Sequence, residues 1–308
     1  MPSIVVVGSS NTDMVIKGPR LPMPGETVTD GVFFTARGGK GANQAVAAAR
    51  AGGRVALIAS LGQDTLGDAA MLGFEEEGID TSHIQRTAAL PSGVALIMID
   101  AAAENAIAVA EGANALLSAD NIRACASVIA SADVLVAQLE VPLATVGEAI
   151  AIAHAHGRRV ILNPAPARPL PDALLSQVSV LTPNASETEL LTGIAPRDDA
   201  SLHRAADRLL GRGVGAALIT LAAAGVFAAT PDWREWIRGW PMPAEDPTGA
   251  GDVFSGTLAV ALSEGTALLD AARFANAAAA ISVTRRGAQP SAPRRREIVD
   301  LIEGAGTV

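Results

Sequence analysis

The chain has 308 residues, 49% hydrophobic and 18% charged, which excludes a disordered protein and supplies ample material for a packed core. A formal net charge of −9 excludes a broad non-specific nucleic-acid surface. The single cysteine, Cys125, excludes an intramolecular disulfide, and the four scattered histidines with no C-x-x-C offer no zinc pattern.

Residues 4–7 form a short apolar run before Gly8, as expected of a strand buried on both faces of a parallel sheet. No basic and apolar leader precedes it, so no secretory signal is visible and a cytoplasmic protein is expected. The run ends in a polar segment, residues 9–13. Ligands of open α/β sheets lie beyond the carboxyl ends of strands, which places Asn11, Thr12 and Asp13 beside a ligand; an Asx turn is the competing explanation.

Residues 14–37 interrupt the βα rhythm. Three short strand patterns, 14–16, 27–29 and 32–34, are separated by Pro19, Pro22 and Pro24, which reads as a small β insertion. Gly38-Gly39-Lys40-Gly41-Ala42-Asn43-Gln44-Ala45 then opens a helix predicted over 42–51. It is not a P-loop, because no Ser or Thr follows the lysine.

The rhythm resumes with a strand at 55–59 and a helix at 67–77 closed by Gly78. Residues 94–99 and 106–109 read as a hairpin that could join the earlier insertion. A helix over 120–131 leads to a strand at 134–136, with Glu140 just beyond it. Further units are a helix at 146–156, a strand at 159–162, a stiff loop at 163–167 and a strand at 178–181. Thr182-Pro183-Asn184-Ala185-Ser186-Glu187 starts the next helix, and the Asn184/Glu187 spacing is that of a capping box. A helix at 201–210 follows. The uncharged stretch 213–231 is long enough to raise a membrane question, but a turn at Gly225 divides it into two buried strands, 216–220 and 226–229. A strand at 233–237, the stretch 246–256, a helix at 271–283 and a basic helix start at 294–296 complete the chain. No linker or repeat divides residues 1–308. They read as a single doubly wound, three-layer α/β unit with a small β-sheet lid built from insertions 11–37 and 91–110.

The stretch Asp246-Pro247-Thr248-Gly249-Ala250-Gly251-Asp252 is a glycine-rich turn entering an apolar helix. Free N–H groups and the positive dipole end at such a start suit an anion. Asp252 there is either a dipole-stabilised carboxylate or a base beside bound phosphate. The groups expected at strand ends (Asn11, Asp13, Lys40, Asn43, Glu140, Asn184, Glu187, Asp252) are rich in carboxylates and amides, which match a polyol. Polyol, phosphate site and one carboxylate together point to phosphoryl transfer to a sugar hydroxyl. A dinucleotide oxidoreductase and an α/β-hydrolase are disfavoured, since neither G-x-G-x-x-G nor G-x-S-x-G is present in the required place.

These stretches carry a resemblance. The segments 38–45 and 246–252, with 163–167 and 182–187 between them, resemble the PfkB carbohydrate kinases over nearly the whole chain, and residues 283–291 resemble the branch acting on ribose. The resemblance implies ATP-dependent phosphorylation of D-ribose at its 5-hydroxyl. It implies Asp252 as the base, with Gly249, Ala250 and Gly251 as the anion hole. Asn11, Thr12, Asp13, Gly39, Lys40, Gly41, Asn43 and Glu140 correspond to sugar contacts. Asn184, Thr220, Leu221, Ala222, Ala223, Ala224, Gly225, Gly251 and Asn276 correspond to nucleotide contacts. Glu187 corresponds to the acid that organises Mg²⁺. Asp246, Thr248, Ser282, Arg285, Gly287 and Ser291 correspond to a monovalent-cation site, usually K⁺. A homodimer formed through the β lid is implied, and neither nucleic acid nor membrane is an expected partner. The loop 221–225 departs from the pattern in lacking a glycine after Thr-Leu, and Asn276 stands where some relatives have histidine. A kinase for another small sugar, such as 2-deoxyribose, and a non-catalytic sugar-binding protein are the alternatives.

Overall fold

Nine strands form one sheet in the order β13-β12-β11-β10-β9-β8-β1-β4-β5. The computed structural model describes residues 3–102 and 104–305; Ala103, in the predicted tip of the 91–110 insertion, and the outermost residues of the 1–308 unit lie outside them. The strands of this sheet are β1 (Ser3–Val7), β4 (Arg54–Gly62), β5 (Ile84–Thr87), β8 (Val134–Ala137), β9 (Arg159–Leu162), β10 (Val180–Leu181), β11 (Ala217–Thr220), β12 (Gly225–Ala229) and β13 (Arg234–Arg238). All neighbours pair parallel except β11 with β12 and β12 with β13. A second sheet, in the order β3-β2-β6-β7, contains β2 (Asn11–Lys17), β3 (Val32–Gly38), β6 (Gly93–Ile99) and β7 (Asn105–Ala110).

The helices are α1 (Lys40–Arg50), α2 (Thr65–Glu76), α3 (Ala119–Ala124), α4 (Ala126–Ser131), α5 (Leu143–Ala155), α6 (Asp172–Leu175), α7 (Ala185–Thr192), α8 (Asp199–Gly211), α9 (Ala250–Ser263), α10 (Leu268–Ser282), α11 (Ala288–Ser291) and α12 (Arg295–Ala305). Strand alternation divides the core into two layers. Ile4 and Val6 of β1 pack with α1, α9 and α10, whereas Val5 and Val7 pack with α4 and α5 on the other face. Both faces are covered, so the central strands read as continuous apolar runs.

Several sequence expectations are corrected. Asn11 and Asp13 form no Asx turn: they lie within β2, which pairs along its whole length with β3 and β6, and only Ser9 and Ser10 of the polar segment are irregular. Residues 27–29 form no strand, because β3 takes up the edge of β2 from Asn11 to Lys17 and leaves the intervening segment without a ladder partner. The predicted helix over 120–131 is two helices. At Cys125 the N–H bonds Ile122 O, three residues back, and the tighter turn breaks the α-helical path. The strand at 178–181 is reduced to Val180–Leu181. The half-polar edge strand β5 was invisible to an apolar-run criterion.

One helix crossing positions the site. Helices α1 and α9 approach so closely at Gly256 that an added Cβ would lie 2.3 Å from the Gln44 carbonyl oxygen and 3.0 Å from Ala47 Cβ. Gly256 is one turn beyond Asp252, so this contact fixes how near Asp252 comes to the first turn of α1. Gly256→Ala is expected to destabilise the protein by about 1–3 kcal/mol through overpacking, despite the gain of about 1 kcal/mol in helix propensity. An unchanged urea midpoint would show that the crossing has slack.

Candidate active site

Asp252 sits in the first turn of α9 and is buried. Asn43 Nδ2 donates to its Oδ2 at 2.9 Å, and Gln44 Nε2 donates to its Oδ1 at 3.0 Å. Burial pushes the Asp252 carboxyl above the usual range, against the opposing influence of Lys40 and the two amides. The Asp252 charge in turn holds the Lys40 ammonium above its ordinary value, with burial opposing it. The first turn of α9 opens with Gly249, a left-handed N-cap at φ 79° whose missing Cβ admits Ala288 against it. Among the described residues the N–H groups of Gly249, Gly251 and Asp252 have no acceptor, while the Ala250 N–H turns back to Pro247 O at 3.2 Å. Of the set Gly249, Ala250 and Gly251, the N–H groups of Gly249 and Gly251 are thus free, as is that of Asp252. Gly251 is helical with open space where a Cβ would stand, so it is not required by the fold of its own turn.

The second sheet brings Asp13 toward this turn, with Asn11 on the same face of β2, whereas alternation turns Thr12 to the opposite face, shared with Ile16. Asn11 is buried and its Oδ1 accepts from Asn114 Nδ2 at 2.8 Å. The Asp13 carboxyl is pushed up to about 6 by burial first, then by the negative charges of Glu140 and Asp252. Glu140, beyond β8, accepts from Ser9 Oγ at 2.5 Å and from the Lys40 N–H at 2.9 Å. It thereby ties the start of α1, with Gly39 and Gly41, to the end of β1. Asn11, Asp13, Lys40, Asn43, Glu140 and Asp252 thus come from four distant segments to one place.

A cavity of about 150 Å³ continues from Asp252 and Lys40 toward Asn184, Glu187, Thr220, Gly249 and Gly251. The capping box is present. The Glu187 N–H donates to Asn184 Oδ1 at 2.9 Å, and the Asn184 N–H to Glu187 Oε2 at 2.8 Å. Burial raises the Glu187 carboxyl, with the Asn184 N–H opposing. Thr220 joins Asn184 through an isolated parallel bridge. The loop 221–225 is a 3₁₀ turn in which Ala222 has φ 49°, a left-handed conformation that glycine adopts at lower cost. This is the position where the sequence departs from the expected glycine. Asn276, on α10, donates to Arg238 O at 2.8 Å.

The predicted cation residues lie behind the α9 turn. Asp246 Oδ1 accepts from the Thr248 N–H and its Oδ2 from the Gly287 N–H, each at 2.9 Å. Burial pushes this carboxyl up, but the hydrogen bonds from Thr248 and Gly287 outweigh it and hold it below the ordinary range. The Ser282 and Ser291 hydroxyls donate to Ala279 O and Ala288 O, each at 2.8 Å, and Arg285 pairs with Glu297. The backbone carbonyls of Asp246, Thr248 and Arg285 receive no hydrogen bond among the described residues.

Sequence reasoning missed Asn114 as a support residue. It is buried after β7, and besides holding Asn11 it accepts from the Ser10 N–H at 2.9 Å and donates to Ser10 O at 3.1 Å. The only available signal was one amide in an otherwise apolar 3₁₀ stretch, Gly112–Leu116. Gln138 and Asn163 were likewise not assigned to the site, whereas Gln44 is expected to point its amide at whatever the glycines of 38–41 admit and instead meets Asp252.

The model of the pfkB family carbohydrate kinases matches residues 1–295. A protein of Haemophilus influenzae named Ribokinase is 44% identical over 98% of this chain and 99% of its own length. One of Salmonella typhi named Deoxyribokinase is 35% identical over 94% of this chain and 95% of its own. The solved structure of Arabidopsis thaliana Ribokinase complexed with ribose and ATP has a TM-score of 0.91 and 30% identity, covering 98% of this chain and 99% of that one.

The raised Asp13 carboxyl gives a pH dependence of stability. In the folded chain Asp13 keeps its proton to about pH 6, whereas unfolded it ionises near pH 3.9. Its contribution is present in full below the unfolded value and is lost as pH rises through the folded one. Asp13→Asn is therefore expected to match the parent protein near pH 4 and to exceed it by about 1–3 kcal/mol at pH 8. Melting curves at both pH values check this, and an equal difference at the two would refute it.

Proposed function

The chain belongs to the pfkB family of carbohydrate kinases, and we propose that it transfers the γ-phosphoryl group of ATP to the 5-hydroxyl of D-ribose, giving ribose 5-phosphate. The observation that carries this reading is Asp252. It is a buried carboxylate held by two amide donors, at a helix start whose neighbouring N–H groups are free.

The sugar lies between β2 and the start of α1. Asn43 Oδ1 is buried with no partner, an open acceptor for a sugar hydroxyl. Asn11, Asp13 and Glu140 supply further acceptors, and Gly39, Lys40 and Gly41 line the base of the pocket. Asp252 receives the 5-hydroxyl proton as the oxygen attacks phosphorus and the bond from phosphorus to the departing ADP oxygen breaks. The free N–H groups of Gly251 and Asp252 and the Lys40 ammonium face the charge on the transferring group. The nucleotide occupies the cavity beside Asn184 and Thr220, and reaches residues 221–225 and Asn276.

Mg²⁺ fits this donor set, because it binds through one or two carboxylates plus phosphates and water. Among the described residues no three acidic, His or Cys side chains cluster as a protein-only metal site, and Glu187 lines the cavity. Glu187 would hold the hydrated ion, which supplies neutralisation of phosphate charge. K⁺ fits the unpartnered carbonyls of Asp246, Thr248 and Arg285, with Ser282, Gly287 and Ser291 completing the loop; its chemistry is structural, fixing the turn ahead of Gly249.

The second sheet acts as the lid and pairs with a second copy. Its register puts Ile16, Phe33, Leu96 and Met98 on one face, all exposed, a patch of the kind that marks an interface. No described helix is long and apolar enough to cross a membrane, and a cytoplasmic site of action belongs to the same reading.

Measurement of ADP release with a panel of small sugars, with and without K⁺, tests the assignment. D-Ribose is expected to give the highest kcat/KM. A preference for 2-deoxyribose would overturn the choice of sugar, and no sugar-dependent release would overturn the enzymatic reading. Asp252→Asn is expected to keep the fold and lose about 10²–10⁴ in turnover; near-normal turnover would remove Asp252 as the base. Gly251→Ala meets no protein atom and is expected to melt no lower than the parent, yet to lose about 10²-fold in turnover, because its methyl group would displace the phosphoryl group by an ångström or more while the N–H donor stays. Unchanged turnover would place the phosphoryl group elsewhere.

A further inference from the structure

We infer that Gln44, oriented by Gln138 and Asn163, is a positioning residue that pins one oxygen of Asp252 so that the other receives the proton. This rests on Asp252 being the base. Gln44 is fully buried and does not line the cavity, so it meets Asp252 from the interior. The orientation of its amide is fixed by its surroundings. Thr182 O is a backbone carbonyl and can only accept, so Asn163 must turn its NH₂ toward it, at 3.1 Å. Asn163 Oδ1 therefore faces Gln44 and needs a donor, which Gln44 Nε2 supplies at 3.2 Å. The same Nε2 donates to Asp252 Oδ1 at 3.0 Å. Gln44 Oε1 then points away and accepts from Gln138 Nε2 at 2.6 Å. A flip of any one amide would set oxygen against oxygen or nitrogen against nitrogen.

The arrangement has a cost. Gln138 Oε1 is buried and has no partner in the structure. A network arranged for stability alone would not leave a buried acceptor unpaired. The direction of the relay, from Gln138 through Gln44 to Asp252, set by Thr182 O, is kept at that cost. The two carboxylate oxygens of Asp252 are consequently unlike. Oδ1 is tied to the interior through Gln44. Among the described residues Oδ2 is held only by Asn43, whose own Oδ1 is buried with no partner. The charged groups that act on Asp252 from the surrounding elements are Lys40 and Glu140, while Asp252 itself acts on Asp13 and Glu187. None of these charges is supplied by the Gln138–Gln44–Asn163 relay, so its loss leaves them in place. Losing a donor to the ionised carboxylate favours the protonated form, which moves the acidic limb of the rate profile to higher pH.

The test compares Gln44→Met and Gln138→Met with the parent protein and Asp252→Asn, reading melting temperature, sugar KM, and kcat and kcat/KM against pH in the ribose-dependent assay. Gln44→Met is expected to keep sugar KM within about threefold, lower kcat about 10- to 100-fold and move the acidic limb of kcat/KM up by about one pH unit. Gln138→Met, which does not touch Asp252, is expected to move the same limb in the same direction by a smaller amount. A Gln44→Met protein with unchanged kcat and an unmoved limb, or with its loss confined to KM, overturns the inference. Should Gln44→Met fail to fold, Gln138→Met decides: an unmoved limb overturns the inference and a shifted one supports it. Retained turnover in Asp252→Asn would overturn both this inference and the assignment of the base, whereas an unmoved limb with an inactive Asp252→Asn overturns this inference alone.

Discussion

A carboxylate taken out of water must be held by donors, and the site is arranged around that requirement at Asp252. Its burial raises the proton affinity of the carboxyl. The amides of Asn43 and Gln44 keep the ionised form accessible, and Lys40 balances the charge. All of these donors come from the first turn of α1. The requirement is met only because α1 and α9 cross with almost no separation at Gly256. Opening that crossing by the width of a methyl group would withdraw the donors from the carboxylate.

The large sheet delivers the other groups to the same place by a simple rule. Its parallel strands end on one side, so the segments after β1, β8, β9 and β10 bring Ser9, Glu140, Asn163 and Asn184 to a common edge. The second sheet is attached just past the end of β1. Its first residues, Asn11 and Asp13, are consequently close to the centre, while its far end carries exposed apolar side chains. Asp13, Glu140 and Asp252 form a group of carboxylates whose mutual repulsion contributes to the raised Asp13 carboxyl. Stability at neutral pH is given up there in favour of a set of acceptors suited to hydroxyl groups.

Two local features separate jobs that look alike in sequence. Gly249 and Gly251 stand two residues apart, yet the first is needed for a left-handed cap against Ala288, while the second is helical with open space above it. Asn184 and Glu187 cap α7 and line the cavity at once, so the same two side chains serve the helix start and border the cavity. In the loop 221–225, Ala222 occupies a left-handed conformation without being glycine. The conformation of that loop is therefore imposed by its anchors, Leu221 N–H to Gly225 O and Gly239 N–H to Ala224 O, rather than by local preference.

Much of the molecule was legible in one dimension because its signals are local. Apolar runs marked the central strands, glycine-rich turns marked the starts of α1 and α9, and the Asn184/Glu187 spacing marked a cap; each depends on residues within a few positions of one another. The carboxylates and amides at strand ends were legible for the same reason, since a parallel sheet sends every strand end to one edge. Tertiary structure decided what depends on partners far along the chain. Asn11 and Asp13 became strand residues because β3 and β6 supply ladder partners. Residues 27–29 lost their strand because no partner remained. The half-polar β5 formed because β4 offered it an edge. Asn114 gained its place only by meeting Asn11 more than a hundred residues away. Returning to the glycine-rich turn at Asp252, sequence alone could say that an acid stood at a helix start. Which of its oxygens is tied to the interior was settled by Gln44, Gln138 and Asn163, because a hydrogen bond has a direction and that direction is set by a backbone carbonyl, Thr182 O, just past β10.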